Sequence, residues 1–162
     1  MCGIVGITSN KQVTNSIINS LRKLEYRGYD SAGIATLNNG HINEVKSEGR
    51  VDVLEKNLSK SNLKGNVGIG HVRWATHGVP STINAHPHSS EKVSVVHNGI
   101  IENSTLLKKF LINKGHKFKS QTDTEVIVHL ITEYLKKENL KDAIIKVLKK
   151  LHGSFALGII FK

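Results

Sequence analysis

The sequence is poor in cysteine, proline and aromatic residues: its 162 positions hold one cysteine, two prolines and 5% aromatic side chains. One cysteine excludes an internal disulfide, which is typical of a cytoplasmic protein. No apolar run approaches the roughly 18–20 residues that span a bilayer, and the first residues lack the pattern of a secretory signal. We therefore expect a cytoplasmic protein without a membrane partner.

Acidic residues are scarce as well, because 13 Asp and Glu oppose 23 Lys and Arg and leave a formal charge of +10. Such a charge raises the question of nucleic-acid binding. Most of the basic residues are lysines in the second half of the chain, on the polar sides of predicted helices. A solvated helix face explains them more simply, so a basic nucleic-acid-binding domain is kept only as a minor alternative.

Hydrophobic spacing predicts one α/β domain without internal repeats or linkers. Strands are predicted at 3–8, 66–74, 93–97 and 154–161, with a hairpin over 32–47. Asn39-Gly40 supplies its tight turn. Helices are predicted at 11–25, 51–59, 104–114, 122–137 and 140–150. Thr122 and Glu125 have the spacing of a capping box, and Asn103 and Gly115 flank the third helix as cap residues.

The single cysteine occupies position 2, directly after the initiator methionine. Removal of Met1 would leave a thiol and a free α-amine on the same Cα. A free thiol has a pKa of ~8.5 and an α-amine one of ~7.7–8.0, so the neutral amine can accept the thiol proton. Cys2 is therefore a candidate nucleophile that carries its own base. The alternative is a small apolar residue at the start of a strand.

A nucleophile needs donors for the oxyanion, and Asn98-Gly99 follows the strand at 93–97. The Asn98 side chain and the Gly99 backbone N–H could both point at one developing negative oxygen, and glycine has no Cβ to obstruct it. Asn-Gly is also the strongest short signal for a hairpin turn. The helical pattern that follows weakens the hairpin interpretation, but on the pair alone the two remain open.

Arg73 and Asp123 are candidates for holding an α-amino acid substrate. Arginine binds a carboxylate through a planar, two-pronged contact, and aspartate can bind an ammonium group. Asp123 also lies at a predicted helix start, where negative charge is favourable without any ligand. On spacing alone this structural role is the simpler one for Asp123.

Five histidines fall within 27 residues: His71, His77, His86, His88 and His97. Neither a helical H-x-x-x-H pair nor a second cysteine accompanies them, so the spacing does not favour a metal site. We expect His77, His86 and His88 to form hydrogen bonds in loops.

Six segments occur in an order that is informative: MCGIVGI, LEYRGYDSAGIA, GHVRWATHG, NAHPH, VVHNGIIEN and TDTEVI. Together they resemble the glutaminase domain of glutamine–fructose-6-phosphate aminotransferases over residues 1 to about 130, with weaker similarity to the end. Amidophosphoribosyltransferases and asparagine synthetases share the N-terminal cysteine, but EYRGYDSAG and RWATHG favour the sugar enzymes. The resemblance implies an α+β fold, a four-layer αββα sandwich of the N-terminal-nucleophile hydrolase type. Because the family's domain continues beyond residue 162, we expect 1–162 to be a partial glutaminase domain, incomplete at its C-terminus and without the sugar isomerase domains.

The resemblance also implies residue roles in the hydrolysis of L-glutamine to glutamate and ammonia. Cys2 is the nucleophile and its amine the base, while Asn98 and Gly99 form the oxyanion hole. Arg73 and Asp123 hold the carboxylate and the ammonium group of glutamine.

Further implied roles surround this group: Thr76 and His77 line the pocket, Trp74 covers the substrate and gates ammonia, and Arg27 packs near the nucleophile. No cofactor or metal is expected. In the full-length enzymes, expected to be homo-oligomers, a sugar isomerase domain uses the ammonia to convert fructose 6-phosphate to glucosamine 6-phosphate. A catalytically silent domain that acts as an interaction partner is the main alternative.

Overall fold

The computed structural model describes residues 2–162, which form seven strands and five helices. The strands are β1 Gly3–Thr8, β2 Ser31–Asn38, β3 His41–Glu48, β4 Val67–Arg73, β5 His88–Ser89, β6 Val93–Ile101 and β7 Gly153–Phe161. The helices are α1 Thr14–Leu24, α2 Val51–Ser61, α3 Ser104–Asn113, α4 Thr124–Tyr134 and α5 Leu140–Lys150. No helix in the described range is both long and apolar enough to cross a membrane.

The strands form two antiparallel sheets, one with the order β1-β4-β2-β3 and one with the order β5-β6-β7. Helices α1 and α2 cover the outer face of the first sheet, and α3, α4 and α5 cover the outer face of the second. The sheets meet through a small apolar cluster of Ala35, Ile69, Val96 and Ile160. These layers are helix, sheet, sheet and helix, so the predicted four-layer αββα class is confirmed.

Alternation along the strands explains why both faces of each sheet are buried. On β2, Ile34 belongs to the cluster under α1 and α2, whereas its neighbour Ala35 belongs to the cluster between the sheets. Successive side chains of a strand point to opposite faces, so one strand serves two cores. The predicted hairpin is confirmed, with β2 and β3 joined by Asn39 and Gly40 at φ 49° and 74°.

The first helix is shorter than the predicted 11–25, because α1 begins only at Thr14. The preceding residues bond to a loop instead of the helix. Val13 N–H donates to Gly65 O over 2.9 Å, and the Gln12 side chain accepts from Gly65 N–H. The loop thus uses the Val13 N–H and the Gln12 side chain, and only the Val13 carbonyl joins the helix, by accepting from Ile17 N–H at 2.9 Å.

The predicted capping box of α4 is wrong. The helix begins at Thr124, and the carboxylate of Glu125 accepts from the N–H groups of Lys119 and Ser120 at 2.8 and 2.6 Å. It therefore closes the preceding turn and does not reach back to Thr122.

The strand predicted at 93–97 continues as β6 to Ile101, because β7 pairs with it along its whole length. The following helix α3 starts at Ser104. Asn103 precedes it, but the Asn103 side chain bonds Lys150 O and His152 N, so its predicted capping bond is absent.

Candidate active site

Cys2 and Asn98 meet at the end of the interface between the two sheets. Gly3 pairs with Val72, which places Cys2 beside the last residues of β4. β6 brings Asn98 across from the other sheet, and Cys2 N donates to Asn98 Oδ1 at 3.2 Å, between residues 96 positions apart. Since the amide oxygen accepts this bond, the Nδ2–H donors of Asn98 are not used by it.

The sulfur of Cys2 lies against the backbone of Trp74. Trp74 N–H donates to Sγ at 3.4 Å, and the thiol points to Trp74 O at 3.7 Å. Burial raises the pKa of the Cys2 thiol, while the Trp74 N–H bond and the charge of Arg73 lower it. Burial is the larger effect, so the pKa stays above its ordinary value, and the backbone at Trp74 offsets it in part in favour of the nucleophilic thiolate.

Asn98 and Gly99 lie inside β6, paired with Ala156 and Phe155 of β7, so the alternative of a hairpin turn is wrong. Gly99 has φ 139°, and a Cβ there would lie 2.1 Å from Ser154 O. The glycine is required because its backbone packs against β7, which is a different reason from the open approach that we expected. Strand β7 thus fixes the candidate oxyanion donors.

Arg73 is buried at the end of β4, and its guanidinium faces the loop that follows. It donates to the carbonyl oxygens of His77, Gly78 and Val79, the last two at 3.2 and 3.5 Å. Burial lowers the pKa of Arg73, and the negative charges near it raise that pKa in part. Within residues 2–162 no carboxylate pairs with it inside 4 Å, so its charge is compensated by carbonyl dipoles.

Asp123 immediately precedes α4, but its side chain does not cap the helix. Its Oδ2 accepts from Ile101 N–H of β6 at 2.8 Å, and its Oδ1 lies 3.8 Å from Nδ1 of His97. The carboxylate is thereby directed to the strand that carries Asn98.

The remaining predicted residues surround the same place. Trp74, Thr76 and His77 line a small cavity together with Cys2, and His77 bonds the Thr76 hydroxyl as expected for a loop. Arg27 donates from Nε to Cys2 O at 3.0 Å. The cavity holds about 20 Å³, which is room for about one water molecule.

The structure adds a buried polar layer that the sequence did not indicate. His86 and His97 both bond the Thr124 hydroxyl, at 2.7 and 2.9 Å, and His88 bonds Thr122 at 2.9 Å. His86 lies in the loop before β5 and forms a hydrogen bond, as expected, whereas His88 belongs to strand β5, so the expected loop position is wrong for His88; both are buried against the start of α4.

Burial keeps these histidines neutral. It lowers the pKa of His71 and of His88 to about 3, and the pKa of His86 well below its ordinary value. His71 stacks on His86 with ring centroids 4.1 Å apart and bonds His97 O. No group of three or more His, Cys, Asp or Glu side chains in residues 2–162 is arranged to hold a metal ion.

Larger grooves lie elsewhere on the surface. One of about 580 Å³ between α1 and α2 offers Glu55 and Lys64 as its charged groups and contains no thiol. Its two hydroxyl groups, on Thr14 and Ser59, donate to backbone carbonyl oxygens. Chemistry, and not volume, therefore identifies the candidate site at Cys2.

Comparison with known proteins identifies the family to which the chain belongs. A family profile described as "Glutamine amidotransferase domain" matches residues 71–162, more than half of the chain. A relative from Clostridium acetobutylicum, named glutamine–fructose-6-phosphate aminotransferase (isomerizing), is 55% identical and covers 99% of this chain and 26% of its own length. A Thermococcus kodakarensis relative of the same name is 52% identical, with coverage of 99% and 27%. The chain thus spans about a quarter of the length of these curated relatives.

Solved structures share the fold. The glutamine phosphoribosylpyrophosphate amidotransferase from B. subtilis, complexed with ADP and GMP, has a TM-score of 0.87 and 31% identity, covering 99% of this chain and 35% of that one. A glutamine aminotransferase class-II domain protein from Silicibacter pomeroyi has a TM-score of 0.59 at 15% identity, covering 81% and 64%, and supports the fold alone. With the family profile and these relatives, the resemblance found in the sequence is confirmed: the chain belongs to the glutamine amidotransferase domain family.

Proposed function

We propose that this chain hydrolyses the side-chain amide of L-glutamine to glutamate and ammonia, with Cys2 as the nucleophile. The observation that carries the proposal is the convergence of Cys2 with Asn98 from the opposite sheet, through the 3.2 Å contact of Cys2 N with Asn98 Oδ1. Membership of the glutamine amidotransferase family supplies the reaction class.

The first chemical step forms a thioester. Met1 lies outside the described residues, and its removal is part of the proposal because it frees the α-amine of Cys2. That amine takes the thiol proton, directly or through a water, and Sγ attacks the amide carbon of glutamine. The Asn98 Nδ2–H and the Gly99 N–H stabilise the oxyanion. When the C–N bond breaks, the ammonium of Cys2 returns its proton to the departing ammonia.

The second step consumes one water. The same α-amine takes a proton from the water, and the resulting hydroxide attacks the thioester. The C–S bond breaks, glutamate leaves, and the thiol is regenerated. No cofactor enters this sequence.

Two charged side chains suit the amino acid end of the substrate. Arg73 has five N–H donors, and three of them bond carbonyl oxygens of the following loop. The remaining donors can bind a carboxylate. The Asp123 carboxylate is held toward β6 and can accept an ammonium group. Thr76 and His77 line the space between.

The pocket has to open for glutamine, since its cavity of about 20 Å³ accepts about one water. Trp74 is the large apolar side chain that lines the pocket from its exposed side: it is 45% exposed, and its ring meets that of Tyr29 at a steep angle, with the centroids 5.5 Å apart. We therefore assign to Trp74 the covering of bound substrate and the gating of ammonia.

The wider context follows the relatives, whose names are those of an aminotransferase that acts on fructose 6-phosphate. In this proposal the chain supplies ammonia to a sugar isomerase domain, in a homo-oligomeric, cytoplasmic enzyme that makes glucosamine 6-phosphate. Residues 1–162 would provide only the glutaminase part of that enzyme.

The direct experiment measures glutamate released from glutamine by the purified chain beside Cys2→Ala and Cys2→Ser. We expect loss of at least about 10³-fold in rate for Cys2→Ala, because the nucleophile is removed. Intact-mass measurement reports whether Met1 is absent. Equal rates for wild type and Cys2→Ala would contradict the proposal, and salt-sensitive nucleic-acid binding by a chain without glutaminase activity would favour the basic-domain alternative.

A further inference from the structure

The loop between α1 and β2 contacts both parts of the candidate site. Arg27 donates to Cys2 O at 3.0 Å. Gly28 packs so closely on the end of β4 that a Cβ would lie 2.4 Å from the carbonyl carbon of Arg73. Asp30 follows, and its carbonyl accepts from Gly49 N–H at 2.8 Å, which anchors the loop to the end of β3.

Asp30 bonds the backbone on both sides of Trp74. Its N–H donates to Arg73 O at 3.0 Å, and its Oδ2 accepts from Ala75 N–H at 2.7 Å. The first bond is to the Arg73–Trp74 peptide, and the N–H of this same peptide donates to Cys2 Sγ at 3.4 Å. A carboxylate acceptor makes the bond to Ala75 stronger than a neutral one would.

We propose that Asp30 is a positioning residue, which holds the Arg73–Ala75 backbone against the Cys2 sulfur. It acts through Trp74 N–H and does not touch the reacting atoms. Its negative charge also lies near Arg73 and stabilises that cation. Asp30 lies in the segment EYRGYDSAG. The family resemblance implied a role for Arg27 of this segment but none for Asp30.

The consequence for catalysis rests on the proposed glutaminase function, whereas the consequence for the backbone does not. Without the Asp30 carboxylate, Ala75 N–H loses its acceptor. The backbone bond from Asp30 N–H to Arg73 O remains, so the segment is still held before Trp74 but no longer after it, and Trp74 N–H is positioned less firmly against Sγ. Conversion of glutamine is expected to fall roughly tenfold in kcat for Asp30→Ala, the size of effect of one lost hydrogen bond, with KM changed less than about threefold.

The test of the backbone is hydrogen exchange at individual amides, measured by NMR on the full chain. In the wild type, Ala75 N–H should exchange at least about tenfold more slowly than the loop amides of Thr76 and His77. In Asp30→Ala this protection should disappear. Asp30→Asn keeps a side-chain oxygen as acceptor, and should retain most of the protection and most of kcat.

Asp52→Ala is the matched control, because Asp52 also accepts from a backbone N–H, that of Val53, but far from Cys2. It should leave exchange at Ala75 unchanged. Trp74, the single tryptophan, gives an independent signal: quenching of its fluorescence by acrylamide should increase in Asp30→Ala alone. An unprotected Ala75 amide in the wild type, or equal effects of Asp30→Ala and Asp52→Ala, would overturn the inference. Protection that depends on Asp30 in a chain without glutaminase activity would uphold the positioning and reject the proposed function.

Discussion

Helix α4 is buried from Thr124 to Val128, but its first residue and the turn that follows face different chemistry; we call them its polar end and its apolar end. At its start, Thr124 is 0% exposed and bonds two histidines, His86 and His97. One turn later, Ile127 is also 0% exposed and packs in an apolar cluster with Val95. Burial is the same, so burial alone does not locate the site. The difference is that the polar end depends on individual hydrogen bonds, whereas the apolar end depends on filled volume.

The largest effect on stability is expected at the apolar end. Ile127→Ala should lower the free energy of unfolding by about 2–5 kcal/mol, because it removes methyl groups and leaves a cavity. Urea denaturation measures it. Ile127→Val is the matched control and should cost only about 0.5–1.5 kcal/mol. Similar losses in both variants would mean that the cluster is not tightly packed.

At the polar end the hydroxyl of Thr124 should matter more than its volume. Thr124→Val keeps the shape but leaves His86 Nε2 and His97 Nδ1 without their partner, at a cost of about 1–3 kcal/mol. Thr124→Ser keeps the hydroxyl and should preserve glutamine turnover better than valine does. Equal turnover in the valine and serine variants would reject a role for this bond in the site.

The comparison also shows what could be predicted. The αββα class and the convergence of Cys2, Arg73, Asn98 and Asp123 followed from ordered motifs and a family resemblance. The continuation of β6 through Gly99 could not be predicted. Its partner β7 lies about 55 residues later, and the local hydrophobic pattern does not indicate which distant strands pair.

The buried histidines were missed for a related reason. A histidine in a strand or after a proline carries no signal of which face it occupies, and His86 and His88 were assigned to loops by their local sequence. Their hydrogen-bond partners, Thr124 at the start of α4 and Thr122 in the turn before it, lie more than thirty residues away in the sequence. Asp30 was missed because its partners lie on β4 and the residue after Trp74.

The polar end should make the fold sensitive to acid. The pKa of His88 is lowered to about 3 in the folded chain, against 6.5 ordinarily, because burial disfavours its charged form. Between these values the unfolded chain binds more protons, so stability is complete above pH 6.5 and declines as the pH falls toward 3. His71 acts in the same direction and in the same range.

Substitution of one histidine should reduce this dependence. His88→Gln can still bond Thr122 but does not titrate, so the loss of unfolding free energy between pH 6 and 5 should be smaller by about 1 kcal/mol. Urea midpoints across this range measure the slope. Glu125 contributes little between pH 6 and 5. Burial raises its pKa, but His129 at 3.4 Å and hydrogen bonds from Ser120 and Lys119 lower it to about 2, so its effect on stability falls between the ordinary value of 4.5 and 2. An unchanged slope would mean that His88 is not the neutral, buried group described.

The central claim is that Cys2 is a nucleophile which recognises glutamine. The most direct measurement is peptide mass spectrometry after exposure to a glutamine analogue that carries an electrophilic diazoketone in place of the amide. We expect one covalent adduct, on Cys2 of a chain that begins at Cys2, with labelling suppressed by excess glutamine. Labelling that glutamine does not suppress, or a chain that retains Met1 and still hydrolyses glutamine, would contradict it.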